Sequence, residues 1–241
     1  MKSVYVHHIL LEKREIDLLK TNKKTNKMKY KKCTPDLTAY YSTLIASSCT
    51  RVFGGNPWKE HKICRICKKK FGLQDNSTDS DSNCKHDLED FWKTGSLVEK
   101  VAEAFTHPCL SMWICEDEKT QDILGFTWGF VETSNDTCKI LNNKGKNFLS
   151  QYSKNTKIGY QSAIGVLESY RENGIAKELY KKRRDDLCAM GAEIFIVRTS
   201  NASPMFSWLL KMGYKVIDDY SENQNDDRQI LTAFVDNIVL V

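Results

Sequence analysis

The segment from Val166 to Val197, "VLESYRENGIAKELYKKRRDDLCAMGAEIFIV", contains the elements that decide the fold. Its apolar start is typical of the end of a strand, and a polar turn follows. Residues 174–190 are predicted to form a helix, because Leu179 and Leu187 fall on one face. Gly191 then suits a helix C-terminus, and the apolar run after it predicts a buried strand. A strand, a turn, a helix and a strand indicate a sheet with helices packed on it.

The turn between Arg171 and Gly174 would direct several unpaired backbone N–H groups of the helix start toward one point. Such a point favours an anion, because the positive end of the helix dipole lies there. Gly174 would let a ligand approach the main chain without a Cβ in the way. The residues predict a phosphate site, with a plain structural turn as the alternative.

The composition limits the classes of protein to which this chain can belong. With 241 residues, of which 41% are hydrophobic and 28% charged, the chain has the size and balance of one soluble globular domain. It has no apolar run long enough to cross a bilayer, so we expect no membrane contact. The start lacks the small-residue cleavage site of a secretory signal, which favours a cytoplasmic location. Nine cysteines, an odd number, argue against a disulfide framework.

Charge is distributed unevenly along the chain. Residues 1–70 hold 17 basic and 5 acidic residues, a net charge of +12, so the remainder of this +5 chain carries −7. The basic part is compatible with a nucleic-acid partner and equally with a solvated lysine-rich tail. We interpret residues 1–27 as a basic N-terminal extension and residues 28–241 as the domain, interrupted by a cysteine segment at 60–90.

The remaining elements are predicted from hydrophobic spacing and turn residues. A helix is expected after Pro35, up to Gly54, and a less regular stretch at about 134–157. Strands are expected at 28–34, 110–118, 122–133, 157–167, 193–200, 214–220 and 228–235, and further helices at 97–105 and 203–213.

The turn and its helix resemble the acetyl-coenzyme A binding motif of the GNAT acetyltransferases. Their signature Arg/Gln-x-x-Gly-x-Gly/Ala is matched by Arg171, Gly174 and Ala176. "NASPMFSWLLKMGYKVI", "DILGFTWGFVE" and "LIASSCTRVFGGNPWKE" resemble other elements of that family in the same order. The resemblance implies a mixed α/β fold with a mostly antiparallel central sheet flanked by helices. It also implies an N-acetyltransferase that uses acetyl-coenzyme A.

By this resemblance, the coenzyme pyrophosphate would bind to the turn and the pantetheine arm to the strand edge before it. The backbone of Val166 and Leu167 would also polarise the thioester carbonyl. Asn201 matches a position that contacts the cofactor arm, or it belongs to a helix N-cap region. The implied cofactor-binding residues are Val166, Leu167, Glu168, Arg171, Glu172, Asn173, Gly174, Ile175, Ala176 and Asn201.

The catalytic residues are less determined by the sequence. Candidates for the general base are Glu132, Glu168 and Tyr160, whereas a solvated strand end, a partner for Arg171 and a core position are the respective structural alternatives. Many family members carry a general-acid tyrosine four residues before the glycine of a Gly-aromatic pair, but Leu209 stands there. The proton would come from Ser207, a water or another element, or no side chain would supply it.

Cys64 and Cys67 form a Cys-x-x-Cys knuckle, and Cys84 and His86 follow after a polar gap. Four such ligands suit a tetrahedral structural zinc ion, with His61 as an alternative ligand and buried free thiols as the alternative interpretation. We expect this zinc-binding insertion to shape the acceptor pocket, with Trp58 and Trp92 beside it or simply packing there.

The acceptor is an unknown amine: a small molecule, a protein amino group and an aminoacyl-tRNA are all compatible. The alternative function is a non-catalytic module that binds acyl-coenzyme A, nucleic acid or protein on the same scaffold.

Overall fold

The computed structural model describes residues 27–56, 58–66, 69–73, 75, 88–92, 94–219 and 228–240. Residues 1–26 of the predicted basic extension, and the predicted ligands Cys67, Cys84 and His86, lie outside these ranges.

The strands and helices follow the expected order. The strands are β1 (Met28–Lys32), β2 (Lys62–Cys64), β3 (Lys70–Phe71), β4 (Leu88–Asp90), β5 (Leu110–Asp117), β6 (Ile123–Thr133), β7 (Lys157–Val166), β8 (Ile194–Ser200), β9 (Lys215–Asp219) and β10 (Arg228–Phe234). The helices are α1 (Thr38–Phe53), α2 (Thr94–Ala104), α3 (Ser134–Ile140), α4 (Lys146–Leu149), α5 (Ile175–Ala189) and α6 (Pro204–Lys211).

The central sheet has seven strands in the order β1-β5-β6-β7-β8-β10-β9. All neighbours in it are antiparallel except β7 and β8, which are parallel. The parallel pair follows from the helical crossover α5 between its two strands. This arrangement confirms the predicted mixed and mostly antiparallel sheet.

Helices cover both faces of this sheet. Phe195 and Val197 of β8 pack in a core with Tyr180 and Leu187 of α5 and with Leu209 of α6. Since successive residues of a strand point to opposite faces, the intervening side chains of β8 face the other layer. There Ile194 and Ile196 join the core beside α3 and α4, while α1 and α2 pack together over Phe126 of β6.

The stretch at 134–157 is not irregular throughout, because it contains α3 and α4. Thr133 caps α3 by accepting a hydrogen bond from the N–H of Asp136. Leu141 and Leu149 anchor the pair in the core. The two helices are too short to show a helical period in the sequence, so neither of them was predicted.

The cysteine segment forms a separate three-stranded sheet in the order β3-β2-β4, between α1 and α2 in the chain. Within the described ranges, no helix has both the length and the apolarity required to cross a bilayer. Besides Cys64, six cysteines lie in those ranges, and all six are free thiols.

Candidate active site

The parallel strands β7 and β8 pair over only four residues each, Ile158–Gln161 with Ile194–Val197. Both strands continue beyond that pairing, β7 to Val166 and β8 to Ser200. At the point where the pairing ends, two residues of β7, Gln161 and Ser162, oppose the single residue Gly129 of β6. This β-bulge bends β7 and redirects its backbone, as bulges beside active sites do.

A cavity of about 680 Å³ passes between the two separated strands. Its walls include Ser162, Ala163 and Ile164 of β7 and Val197, Arg198 and Thr199 of β8. On the side of α1 and α2, aromatic residues line it: Trp58, Phe91, Trp92, Trp128 and Phe130. The opening in the sheet therefore joins an aromatic chamber to the backbone of β7.

The backbone of β7 presents donors to this opening. Leu167 donates its N–H to the carbonyl of Leu124 at 2.9 Å. Because the N–H groups of an antiparallel strand alternate in direction, those of Val166 and Ile164 point away from β6, toward the separated edge. The N–H of Leu167, which was expected to polarise a ligand carbonyl, is thus already paired within the sheet.

The turn after β7 has an unusual backbone conformation. Glu172 and Gly174 both have positive φ, +66° and +76°, and Gly174 forms the N-cap of α5. A left-handed residue followed by helical ones directs consecutive N–H groups into one concavity. A Cβ added to Gly174 would meet nothing within 4 Å, so its free side faces open space.

Two residues of this turn, Arg171 and Asn173, make hydrogen bonds that stabilise the turn itself. The N–H of Arg171 is bonded to the carbonyl of Glu168 at 3.2 Å, so this amide is not available to a phosphate as expected. The side chain of Asn173 donates to the carbonyls of Tyr170 and Arg171. The N–H groups of Ile175 and Ala176 belong to the first turn of α5, where they have no partner within the helix.

Of the three base candidates, only Glu132 lines the cavity. Its carboxylate is held by a residue that sequence reasoning missed, His107, whose Nε2 lies 2.5 Å from Glu132 Oε1. The N–H of Cys109 donates to His107 Nδ1 at 3.2 Å, so the ring carries its proton on Nε2 and donates it to Glu132. Stacking on Phe130, at 4.5 Å between centroids, fixes the imidazole plane.

The other predicted residues lie elsewhere. Tyr160 is 5% exposed and packs in the core against Phe130. Glu168 is exposed in a short 3-10 turn beyond β7. Asn201 is exposed in the turn after β8, and Ser203, which accepts from the N–H of Met205, is the N-cap of α6 instead. The structure therefore does not bring the three base candidates together.

The position expected for a general acid is apolar. Leu209 is completely buried, and Ser207 is exposed and donates within α6 to the carbonyl of Pro204. Buried hydroxyls occur instead behind β7, where Tyr180 and Tyr214 share a hydrogen bond of 2.9 Å. Burial raises the pKa of both phenols, so they stay protonated.

Arg183 is the second residue that sequence reasoning missed. It lines the cavity although it is only 1% exposed. In the run "KKRRDD" it looks like one more surface charge, yet it stands four residues after Leu179 and four before Leu187, on the buried face of α5.

Cys64 is buried at the end of β2. Its N–H donates to the carbonyl of Lys69 at 3.0 Å, and the N–H of Ile66 donates to its Sγ at 3.4 Å. The chain therefore turns tightly around this sulfur. No group of three possible metal ligands occurs among the described residues, and the other three predicted zinc ligands lie outside them.

The bulged strand β7 separates from its parallel neighbour β8 and is followed by a turn with unpaired N–H groups and by helix α5. This combination is typical of one class of fold. The chain has the fold of the GNAT acetyltransferases, as the resemblance implied.

Comparison with solved structures agrees with this class. Arylalkylamine N-acetyltransferase 2 from Aedes aegypti matches 87% of this chain over 100% of its own, with a TM-score of 0.56 and 10% identity. The mosquito arylalkylamine N-acetyltransferase like 5b matches 86% of this chain over 100% of its own, with a TM-score of 0.55 and 11% identity. Arabidopsis thaliana NAA60 in complex with acetyl-CoA matches 87% over 99%, with a TM-score of 0.52 and 11% identity.

No family model and no curated protein matches the sequence. At 10–11% sequence identity, the structural matches establish the fold alone. The activity is therefore inferred from the chemistry of the site.

Proposed function

We propose that this chain is an N-acetyltransferase that transfers the acetyl group of acetyl-coenzyme A to a small amine. The observation that carries the proposal is the separation of β7 from β8 after Gln161. It opens the sheet between a chamber that suits an acceptor and a strand edge that suits the pantetheine arm. A scaffold without a ligand would gain from closing that gap with hydrogen bonds, because unpaired buried backbone groups are costly.

The cofactor fits this opening by its chemistry. Its amide groups match the free backbone edge at Ile164 and Val166, and its pyrophosphate matches the turn from Glu172 to Ala176. The positive end of the α5 dipole adds to the attraction. The NAA60 structure contains acetyl-CoA on the same fold, which supports this choice of ligand.

The acceptor amine and acetyl-coenzyme A would meet at the opening in the sheet, from its two sides. The amine nitrogen attacks the thioester carbon, so that a C–N bond forms and the π electron pair moves onto oxygen, where backbone N–H groups stabilise it. When the carbonyl re-forms, the C–S bond breaks and coenzyme A leaves as a thiolate. The proton from the nitrogen passes to Glu132, directly or through one water. Leu209 supplies no acid, so the thiolate takes its proton from solvent.

The chamber favours an amine that carries an aromatic or apolar group. Trp58 contacts Phe53 edge-to-face at 5.8 Å, and Trp92 lies under the Lys100 ammonium at 5.0 Å. Such rings attract both apolar groups and cations. The two mosquito structures of similar fold are arylalkylamine N-acetyltransferases by name, which supports the same acceptor class.

We also propose that Cys64, Cys67, Cys84 and His86 bind one structural zinc ion. The buried Sγ of Cys64 and the N–H that donates to it are typical of a thiolate ligand in a tight knuckle. The ion would hold the small sheet that lies between α1 and α2 in the chain.

Calorimetric titration with acetyl-coenzyme A tests the proposal. We expect Gly174→Asp to weaken binding by about tenfold or more, because a carboxylate would then occupy the phosphate position. Gly145→Asp is the matched control, since Gly145 has nearly the same backbone conformation, φ 69° and ψ 7° against φ 76° and ψ −1°. Both variants carry the same backbone strain, of about 1 kcal/mol.

Absence of binding by the folded wild-type protein would refute the proposal. Tight binding without acetylation of any amine would instead identify a binding module.

A further inference from the structure

The guanidinium of Arg183 lies behind β7 at the bulge, in the middle of the molecule. Its Nη1 donates to Thr127 Oγ1 at 2.7 Å, to the carbonyl of Ala163 at 2.8 Å and to that of Trp128 at 3.4 Å. Its Nη2 donates to Gln161 Oε1. Three elements of the fold, α5, β6 and β7, therefore meet at this one side chain.

This buried cation has no counter-ion among the described residues. Its hydrogen-bond acceptors are a hydroxyl, an amide and two carbonyls, and its Nε has no partner. Burial lowers the pKa of Arg183 to about 10, which leaves it protonated at neutral pH. A buried charge without a counter-ion costs free energy, and an apolar residue would fill the same space at less cost. A structural role alone therefore explains its presence poorly.

The peptide group between Ala163 and Ile164 connects this charge to the cavity. The carbonyl of Ala163 accepts from Arg183 Nη1 and also from Thr127 Oγ1 at 2.9 Å. In a trans peptide the N–H points opposite to the carbonyl. The N–H of Ile164 therefore faces the separated edge of β7, where Ile164 lines the cavity.

Hydrogen bonds that share a peptide group strengthen one another. Two donors on the Ala163 carbonyl, one of them charged, withdraw electron density from the peptide and make the Ile164 N–H a stronger donor. Because Arg183 is only 1% exposed, the field of its guanidinium acts through the protein interior, where charge interactions are stronger than in water.

We propose that Arg183 is a positioning residue that strengthens the Ile164 N–H as the donor to the thioester oxygen. The inference rests on the proposed function and deepens it. Negative charge accumulates on that oxygen as the amine attacks, so the effect of Arg183 is larger in the transition state than in the bound ground state.

The test measures the ¹³C NMR shift of acetyl-coenzyme A labelled at the acetyl carbonyl, free and bound to each variant. We expect wild type to move the carbonyl resonance downfield and Arg183→Met to lose most of that displacement. Arg184→Met is the control, because Arg184 pairs with Asp185 at the surface and should leave the shift unchanged. Thr127→Val, which removes one donor to Ala163 and retains the charge, should reduce the displacement by less.

Kinetics provide the second readout. Arg183→Met should lower kcat by about 10- to 100-fold, somewhat less than loss of a direct oxyanion donor. The KM for acetyl-coenzyme A should change less than about twofold, because ground-state binding is nearly unaffected. Arg183→Lys, which restores a cation, should recover part of the carbonyl displacement.

The outcomes are distinguishable. If acetyl-coenzyme A binds and its carbonyl shift is the same in wild type, Arg183→Met and Thr127→Val, the inference is wrong while the proposed function stands. If wild type does not bind the ligand at all, the proposed function fails and the inference fails with it. Should Arg183→Met not fold, the Thr127→Val comparison alone decides.

Discussion

At the scale of single residues, Glu132 and His107 form the pair on which the proposed proton transfer depends. His107 uses its only N–H to hold the carboxylate, and its other nitrogen accepts from the backbone of Cys109. The imidazole therefore orients Glu132 and leaves the second carboxylate oxygen for the proposed transfer of a proton from the amine.

Glu132→Gln should keep the hydrogen bond to His107 while removing the base. We expect kcat for amine acetylation to fall by about 100-fold or more, with acetyl-coenzyme A affinity unchanged by calorimetry. Glu103→Gln is a matched control, since Glu103 lines the same cavity but is exposed at its edge. Equal rates for Glu132→Gln and wild type would exclude Glu132 as the base.

The same residues show how far the sequence could predict the site. Gly174 and Ala176 lie in one short segment, so a local motif was enough to predict the proposed anion site. His107 and Glu132 are 25 positions apart and meet only because β5 and β6 pair. Arg183 is indistinguishable from its charged neighbours until the buried face of α5 is known.

At the scale of elements, Asp186 attaches α5 to the far side of the sheet. Its Oδ2 accepts from Ser111 Oγ at 2.8 Å, from Trp113 Nε1 at 2.9 Å and from Lys32 Nζ at 2.8 Å. Burial alone would raise the pKa of this carboxyl, but the three donors outweigh it and hold the pKa below its usual range. The helix that presents the anion site is thereby fixed to β1 and β5.

Asp186→Asn should destabilise the protein by about 1–2 kcal/mol at neutral pH, because charged hydrogen bonds are replaced by neutral ones. A carboxyl with a depressed folded-state pKa contributes stability above its unfolded pKa and loses it as pH falls through the folded pKa. The difference from wild type should therefore shrink below about pH 4. Urea unfolding at several pH values measures it, and a pH-independent difference would contradict this assignment.

Element boundaries were predictable where an apolar period or a glycine marked them, as in α1, α5 and the strand pair β5–β6. The helices α3 and α4 were missed because seven and four residues are too few to display a period. The early end of the β7–β8 pairing could not be predicted, because β7 remains largely apolar beyond it. The polar end of β8, from Arg198 to Ser200, is equally typical of a strand that simply reaches the surface.

At the scale of the whole molecule, the cysteine segment and the cavity are neighbours. Trp58 precedes β2 in the chain, Phe91 and Trp92 follow β4, and all three line the chamber. Order in the small sheet therefore shapes the proposed acceptor side, while the proposed cofactor side depends on β7 and α5.

Elemental analysis of the purified chain should give about one zinc per molecule, the count of a four-ligand structural site. Cys64→Ser should lose the metal and raise the KM for the amine, with little effect on acetyl-coenzyme A affinity. Cys109→Ser, outside the small sheet, should retain the zinc. Wild-type protein that folds and binds acetyl-coenzyme A without zinc would disprove the metal site.

The short pairing of β7 with β8 also affects the lifetime of the folded protein. A sheet interrupted at its centre exposes two backbone edges where an intact one has none, and such edges recruit other strands. A bound pantetheine arm would occupy one edge as a surrogate strand and add RT ln(1 + [L]/Kd) to the free energy of unfolding. We therefore expect the lifetime of this protein to increase with the concentration of acetyl-coenzyme A, its proposed cosubstrate.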